Sequence, residues 1–135
     1  MPATHNIDQQ NKLIVTTWEG EPTVQDLSEA FKKYQNKIKS KPEFQNYDEL
    51  VDFTKIEGFK ISSDGLGMLS QTASSFDKSI GKSKLAIIVK TTLAFGLARM
   101  YEILRSLGPK KKEIRVFKDK SSALNWLTTE SHTKR

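Results

Sequence analysis

Lys84-Leu-Ala-Ile-Ile-Val-Lys-Thr-Thr-Leu-Ala-Phe-Gly-Leu-Ala-Arg-Met-Tyr-Glu-Ile-Leu-Arg105 runs from a short aliphatic stretch through two threonines into a helical pattern. Leu85 to Val89 is apolar at every position, as a central parallel strand covered on both faces requires. Beyond Thr91-Thr92, the spacing of Leu93, Leu97, Met100, Tyr101 and Leu104 predicts a helix with those residues inside, and Gly108-Pro109 supplies a stop. The stretch is therefore a β-loop-α unit. Such units place hydroxyls and backbone N–H groups at the carboxyl end of a strand, where α/β proteins usually keep their binding sites.

The same alternation extends in both directions. Asn6 to Gln9 and Leu13 to Trp18 read as an opening hairpin around Gln10-Asn11, and Gly20-Glu21-Pro22 punctuates the chain. Thr23 is a candidate N-cap, with Asp26 beside the amino end of the dipole. Val24, Leu27, Phe31, Tyr34 and Ile38 then predict a helix from Val24 to Lys39, ended by Lys41-Pro42. Tyr47 to Phe53 forms a strand, and Ser62 or Ser63 caps a second helix carrying Leu66, Leu69, Ala73, Phe76 and Ile80. After the third helix, Glu113 to Lys118 adds a strand, and Ser121 or Ser122 opens a last helix through Ala123, Leu124 and Leu127. Strands alternating with helices predict an α/β domain: a mostly parallel sheet of about five strands, an N-terminal β-hairpin and four helices. Its core runs from about residue 6 to 128, and the polar tail 129–135 is expected to fray.

The 135 residues with 36% apolar content fit one domain. With no cysteine there is no disulfide, thiolate nucleophile or Cys-ligated zinc, and a cytoplasmic home is the expectation. The amino terminus lacks a signal-peptide pattern and no apolar run is long enough to span a bilayer. The net charge of +6 comes from scattered lysines, the densest cluster being Lys110-Lys111-Lys112 in an apparent loop, so no nucleic-acid footprint is expected.

His5 and His132 fall near the termini without metal-ligand or triad partners, so no catalytic residue, metal or cofactor is assigned. Asp52 reads as a strand residue bonded to nearby N–H groups, and Glu57 as part of an exposed loop. Gly65-Leu66-Gly67 lacks the lysine and glycine spacing of a phosphate loop. Thr91 and Thr92 either contact a ligand or, in the case of Thr92, cap the third helix. Phe95 and Gly96 follow at once, and a glycine in the first turn suits close approach by a backbone or ligand. Arg99 either meets an anionic partner or pairs with Glu102. Trp18 and Glu19 end a strand and border the same crevice as Thr91 only if the strand order allows it.

From about residue 7 to 127 the chain resembles the SpoIIAA-like family, related to STAS domains and more remotely to the SEC14 lipid-transfer fold. The resemblance lies in Leu93-Ala-Phe-Gly-Leu-Ala-Arg-Met-Tyr-Glu102, Arg115-Val-Phe-Lys-Asp119 and Ala123-Leu-Asn-Trp-Leu127. It implies βα units stacked in one direction around a single sheet, without a switch point. Ser62-Ser-Asp-Gly-Leu-Gly67 is similar to the Asp-Ser-Ser-Gly-Leu-Gly segment of anti-anti-sigma factors, which places the phosphorylated serine at Ser63. Ser62 stands where that segment has aspartate, and Asp64 where it has its second serine. Either serine otherwise serves as an N-cap. The resemblance implies a non-enzymatic domain that binds a protein partner, with a SEC14-like carrier of a small apolar ligand as the alternative and a homodimer as an open option.

Overall fold

The structure, a computed structural model, describes residues 3–75, 83–107 and 112–128. Five strands lie in sequence order across one sheet: β1 (Ala3–Asp8), β2 (Leu13–Gly20), β3 (Asp48–Ile56), β4 (Ser83–Ile88) and β5 (Lys112–Phe117). β1 and β2 are antiparallel, and every later pair is parallel. This is the expected fold, and the one-directional order leaves no switch point.

Successive adjacent parallel strands put the connecting helices on one face. These are α1 (Val24–Tyr34), α2 (Ser63–Ser74) and α3 (Thr92–Ser106), while α4 (Lys120–Thr128) follows the last strand and covers the other face. Side chains therefore sort by strand parity. Leu50, Ala86 and Ile88 point to α4 and meet Ala123, Trp126 and Leu127. Leu85, Ile87 and Val89 point the other way and meet Ala94 of α3. All of β4 is buried, its Leu85 to Ile88 part as an unbroken apolar run demands.

Local chemistry starts and stops the elements. Thr23 and Asp26 form a capping box at α1, with Thr23 Oγ1 accepting from Asp26 N at 3.1 Å and Asp26 Oδ2 accepting from Thr23 N at 3.0 Å. Ser62 caps α2 by accepting from Gly65 N at 3.1 Å. Thr91, not Thr92, caps α3, accepting from Ala94 N at 3.1 Å. At α4 the capping oxygen belongs to Asp119 rather than Ser121 or Ser122, since a carboxylate serves both Ser122 N at 2.7 Å and Ser122 Oγ at 3.1 Å. The hairpin turn is held by Asp8, whose Oδ1 accepts from Asn11 N at 3.1 Å.

Further expectations change. β1 begins at Ala3 rather than Asn6, because pairing with β2 continues to Trp18. The first helix passes into a π-helical turn over Gln35–Lys39, which accompanies complete burial of Lys39. Leu93 and Met100 lie outside rather than inside α3, at 70% and 39% exposure. The small side chains of Ala94 and Ala98 bring α3 down on the sheet, and Tyr101 completes that face. Phe76, Ile80, the Gly108-Pro109 stop, Lys110 and Lys111 of the lysine cluster and the tail with His132 lie outside the described residues, while Lys112 opens β5.

Candidate functional site

Between the sheet and helices α1, α2 and α3 lies a cavity of about 170 Å³. Protein interiors are normally packed with few voids larger than a water molecule. The β2 and β3 side chains on this face, Thr16, Trp18, Glu49, Val51 and Phe53, form its floor. Leu27, Ala30 and Phe31 of α1, Leu66 and Leu69 of α2, and Leu97 and Ala98 of α3 line it from above. Ala30 and Ala98 account for part of the space, since each stands where a larger side chain would reach the sheet.

The two ends of the cavity differ. Toward the carboxyl ends of the strands it is aromatic: Trp18 stacks on Phe53 at 6.0 Å between centroids, and Phe53 meets Phe59 edge-on at 5.0 Å. Toward the other end His5, Thr16, Tyr34, Glu49, Tyr101 and Arg105 supply polar atoms. His5 Nδ1 and Thr16 Oγ1 share a hydrogen bond of 2.7 Å, and the imidazole lies 5.1 Å from the Tyr34 ring. Tyr34 donates to Glu49, which also faces Lys39 Nζ at 3.6 Å. Lys39 in turn donates to the carbonyls of Phe44, Gln45 and Tyr47 at 3.2, 3.1 and 2.9 Å. From α3, Arg105 Nη1 donates to Tyr101 Oη at 3.0 Å.

Burial sets the protonation of this end. His5 is exposed as a whole residue, yet partial desolvation of its ring holds its pKa below the usual histidine value, although Glu49 pulls the other way. The Tyr34 hydroxyl is pushed well above the usual tyrosine value by burial, by the Glu49 charge and by its bond to that carboxylate. Tyr34 is therefore a neutral donor at physiological pH. Among the described residues no three His, Cys, Asp or Glu side chains gather as metal ligands.

Of the candidate ligand or partner residues read from the sequence, Trp18 lines the cavity, and Glu19, Thr91, Thr92, Phe95, Gly96 and Arg99 do not. Glu19 is exposed beside Lys55 in the β2–β3 register. Thr91 and Thr92 are exposed at the start of α3. Phe95 packs against the outer part of the Leu85 cluster, with Lys118 Nζ 4.9 Å above its ring. Gly96 is exposed with open space around it, and Arg99 Nη1 pairs with Glu102 Oε1 at 2.8 Å. Ser62 is the cap of α2 and Ser63 its first residue. Asp52 Oδ1 accepts from Thr54 N and Oγ1 at 2.8 and 2.7 Å. Sequence reading missed His5, Tyr34, Glu49 and Lys39. The available signal was strand parity: Ala3, His5 and Ile7 register with Trp18, Thr16 and Ile14, the buried row of β2.

The fold defines the class first: an α/β protein of SpoIIAA-like fold with an apolar cavity under its helical layer. Among solved structures, the chain is similar to an uncharacterized protein of the DUF3478 family with a SpoIIAA-like fold from Shewanella loihica PV-4. The TM-score is 0.57 at 20% identity, covering 93% of this chain and 91% of that one. No family model and no curated protein matches the sequence. Among the described residues no helix is long and apolar enough to cross a membrane.

Proposed function

We propose that the protein is a non-enzymatic, cytoplasmic carrier or sensor of a small lipid-like molecule, held between the sheet and helices α1 to α3. The cavity carries this reading. Its lining is predominantly hydrophobic and aromatic, with polar groups gathered at one end, which is the usual make-up of a pocket that holds a small apolar molecule. The guest's apolar body belongs against Trp18 and Phe53, and a hydrogen-bonding end near His5 and Tyr34.

Paired native and denaturing mass spectra of the full-length protein test the reading. The expected result is a noncovalent adduct that disappears on denaturation and is recovered in an organic extract. A bare mass, together with no thermal shift from a series of medium-chain fatty alcohols and fatty acids, sinks it.

A second reading, a partner-binding regulatory domain, is supported by the start of α2. Ser62 and Asp64 are exposed there, and phosphate at a helix amino terminus is favoured by the positive end of the dipole. The neighbouring Asp64 charge opposes it. Equal partner affinity of Ser63→Ala and Ser63→Asp rules out the switch.

A further inference from the structure

An arginine in the last turn of a helix ordinarily carries its charge out to water or onto the final carbonyls of that helix. Arg105, in the last turn of α3, is instead 6% exposed and lines the cavity. Spacing explains its direction. Ala94, Ala98, Tyr101 and Arg105 follow at steps of four, three and four, so the arginine continues the row that α3 lays on the sheet. The two alanines bring the helix down, and Tyr101 and Arg105 then belong to the polar end of the cavity.

A guanidinium keeps its charge at every physiological pH and carries five N–H donors in a planar fork. Nη1 donates to Tyr101 Oη at 3.0 Å, and both residues have further contacts that hold the fork in place. Arg105 Nε, however, is buried and makes no hydrogen bond among the described residues. A buried donor left unused is costly, the more so on a charged group, and native interiors keep few of them.

We propose that the occupant of the cavity is a carboxylic acid with an apolar body, bound as its carboxylate with one oxygen on Arg105 Nε. The inference rests on the carrier reading above and names the head group of its ligand. A carboxylate is planar, offers acceptors only and matches the edge of a guanidinium, with bonds roughly twice as strong as those of a neutral acceptor. A hydroxyl head accepts one such bond without the charge. Glu49, the acidic side chain among the described lining residues, already receives the Tyr34 hydroxyl and faces Lys39 Nζ at 3.6 Å. Its charge is balanced within that cluster, which lowers its repulsion of an incoming anion. With the head at Arg105, the body runs past Ala98 toward the aromatic end at Trp18 and Phe53.

Octanoic acid and 1-octanol share a chain and differ in the head, so comparing them at about pH 7.5, where the acid is ionised, isolates the carboxylate. Calorimetric titration of the full-length protein should show octanoate binding about tenfold or more tighter than octanol. Arg105→Gln should erase that preference, lowering octanoate far more than octanol, and Arg105→Lys, which keeps the charge but not the fork, should restore part of it. Circular dichroism checks that each variant is folded. If Arg105→Gln does not fold, a reduced preference in Arg105→Lys carries the comparison. Octanol binding as tightly as octanoate in the wild type would leave the carrier reading standing and overturn the carboxylate. A preference for octanoate that persists in Arg105→Gln would place the head elsewhere, and an equal loss of both compounds would make Arg105 structural; either overturns the proposal. Binding of neither compound sinks it too, and a bare native mass then takes the carrier reading with it.

Discussion

Lys39 Nζ lies 3.6 Å from Glu49 Oε2, with the lysine side chain fully buried and the glutamate nearly so. The lysine sits in the π-helical turn after α1, and the glutamate opens β3, so one contact ties the first crossover to the sheet. Removing one member of such a pair leaves the other charge desolvated, which costs about 3–5 kcal/mol. Lys39→Met should therefore lower urea-unfolding stability by roughly 3 kcal/mol, the more so because three carbonyls lose their donor. Lys39→Met combined with Glu49→Leu should lose less than the two single changes summed. Simple additivity would show that the pair is not coupled.

Gly65 is required by its neighbour on another helix. A Cβ at this position would lie 2.3 Å from Val24 Cγ2, inside any acceptable contact. Alanine raises helix propensity by about 1 kcal/mol over glycine, whereas overpacking costs about 1–3 kcal/mol, so the clash wins. Gly65→Ala should lower the melting temperature, and adding Val24→Ala should recover most of that loss. If Gly65→Ala raises stability instead, α1 and α2 do not approach this closely.

The depressed pKa of His5 fixes the sign of a pH effect. Protonation favours the unfolded chain, where histidine keeps its ordinary value near 6.5. Stability linked to His5 is thus fully present above that value and falls as pH drops through 6.5 toward the folded-state pKa. Asp48, whose carboxyl is raised by burial, works in the opposite sense at lower pH, gaining stability as it protonates. Comparing wild type with His5→Asn isolates the histidine. The wild-type decline below pH 6.5 should be absent from the variant, and the NMR signal lost in the variant should titrate below the usual value. A His5 titrating above 6.5 would reverse the predicted slope.

Much of the fold was legible because its signals are local. The apolar run Leu85 to Val89, the caps at Thr23 and Ser62, and the three-four spacing in α1 each operate within a few residues. The site was not legible because its residues meet only through the sheet. His5 has no informative neighbour in sequence and acquires Thr16 and Tyr34 through pairing and crossover. A lysine near a helix end reads as solvated, and nothing local reveals that Lys39 is buried. In α3 the inner row of Ala94, Ala98 and Tyr101 interleaves with the outer row of Leu93, Met100 and Leu107. Larger side chains outweigh alanines in any pattern, so Leu93 and Met100 read as core beside Tyr101, and only the packing of α3 separates the two rows.

The cavity makes a prediction that separates an empty void from a binding site. Ala30 and Ala98 both line it, and neither is charged or hydrogen-bonded through its side chain. Replacing Ala98 by leucine adds three carbons, and filling such space is worth about 0.8 kcal/mol per buried carbon when the new side chain fits without strain. Ala98→Leu should therefore raise the stability of ligand-free protein by about 1–2 kcal/mol, less than the full transfer value because some rotamer freedom is lost. The same change should weaken capture of a fatty alcohol, since guest and leucine compete for one volume. Ala30→Leu, approaching from α1, should do both again from the opposite wall. Two variants that destabilise the protein as overpacking would indicate that the layers close tightly, leaving no room for a guest. Stabilisation with unchanged capture would place the guest somewhere else on the molecule.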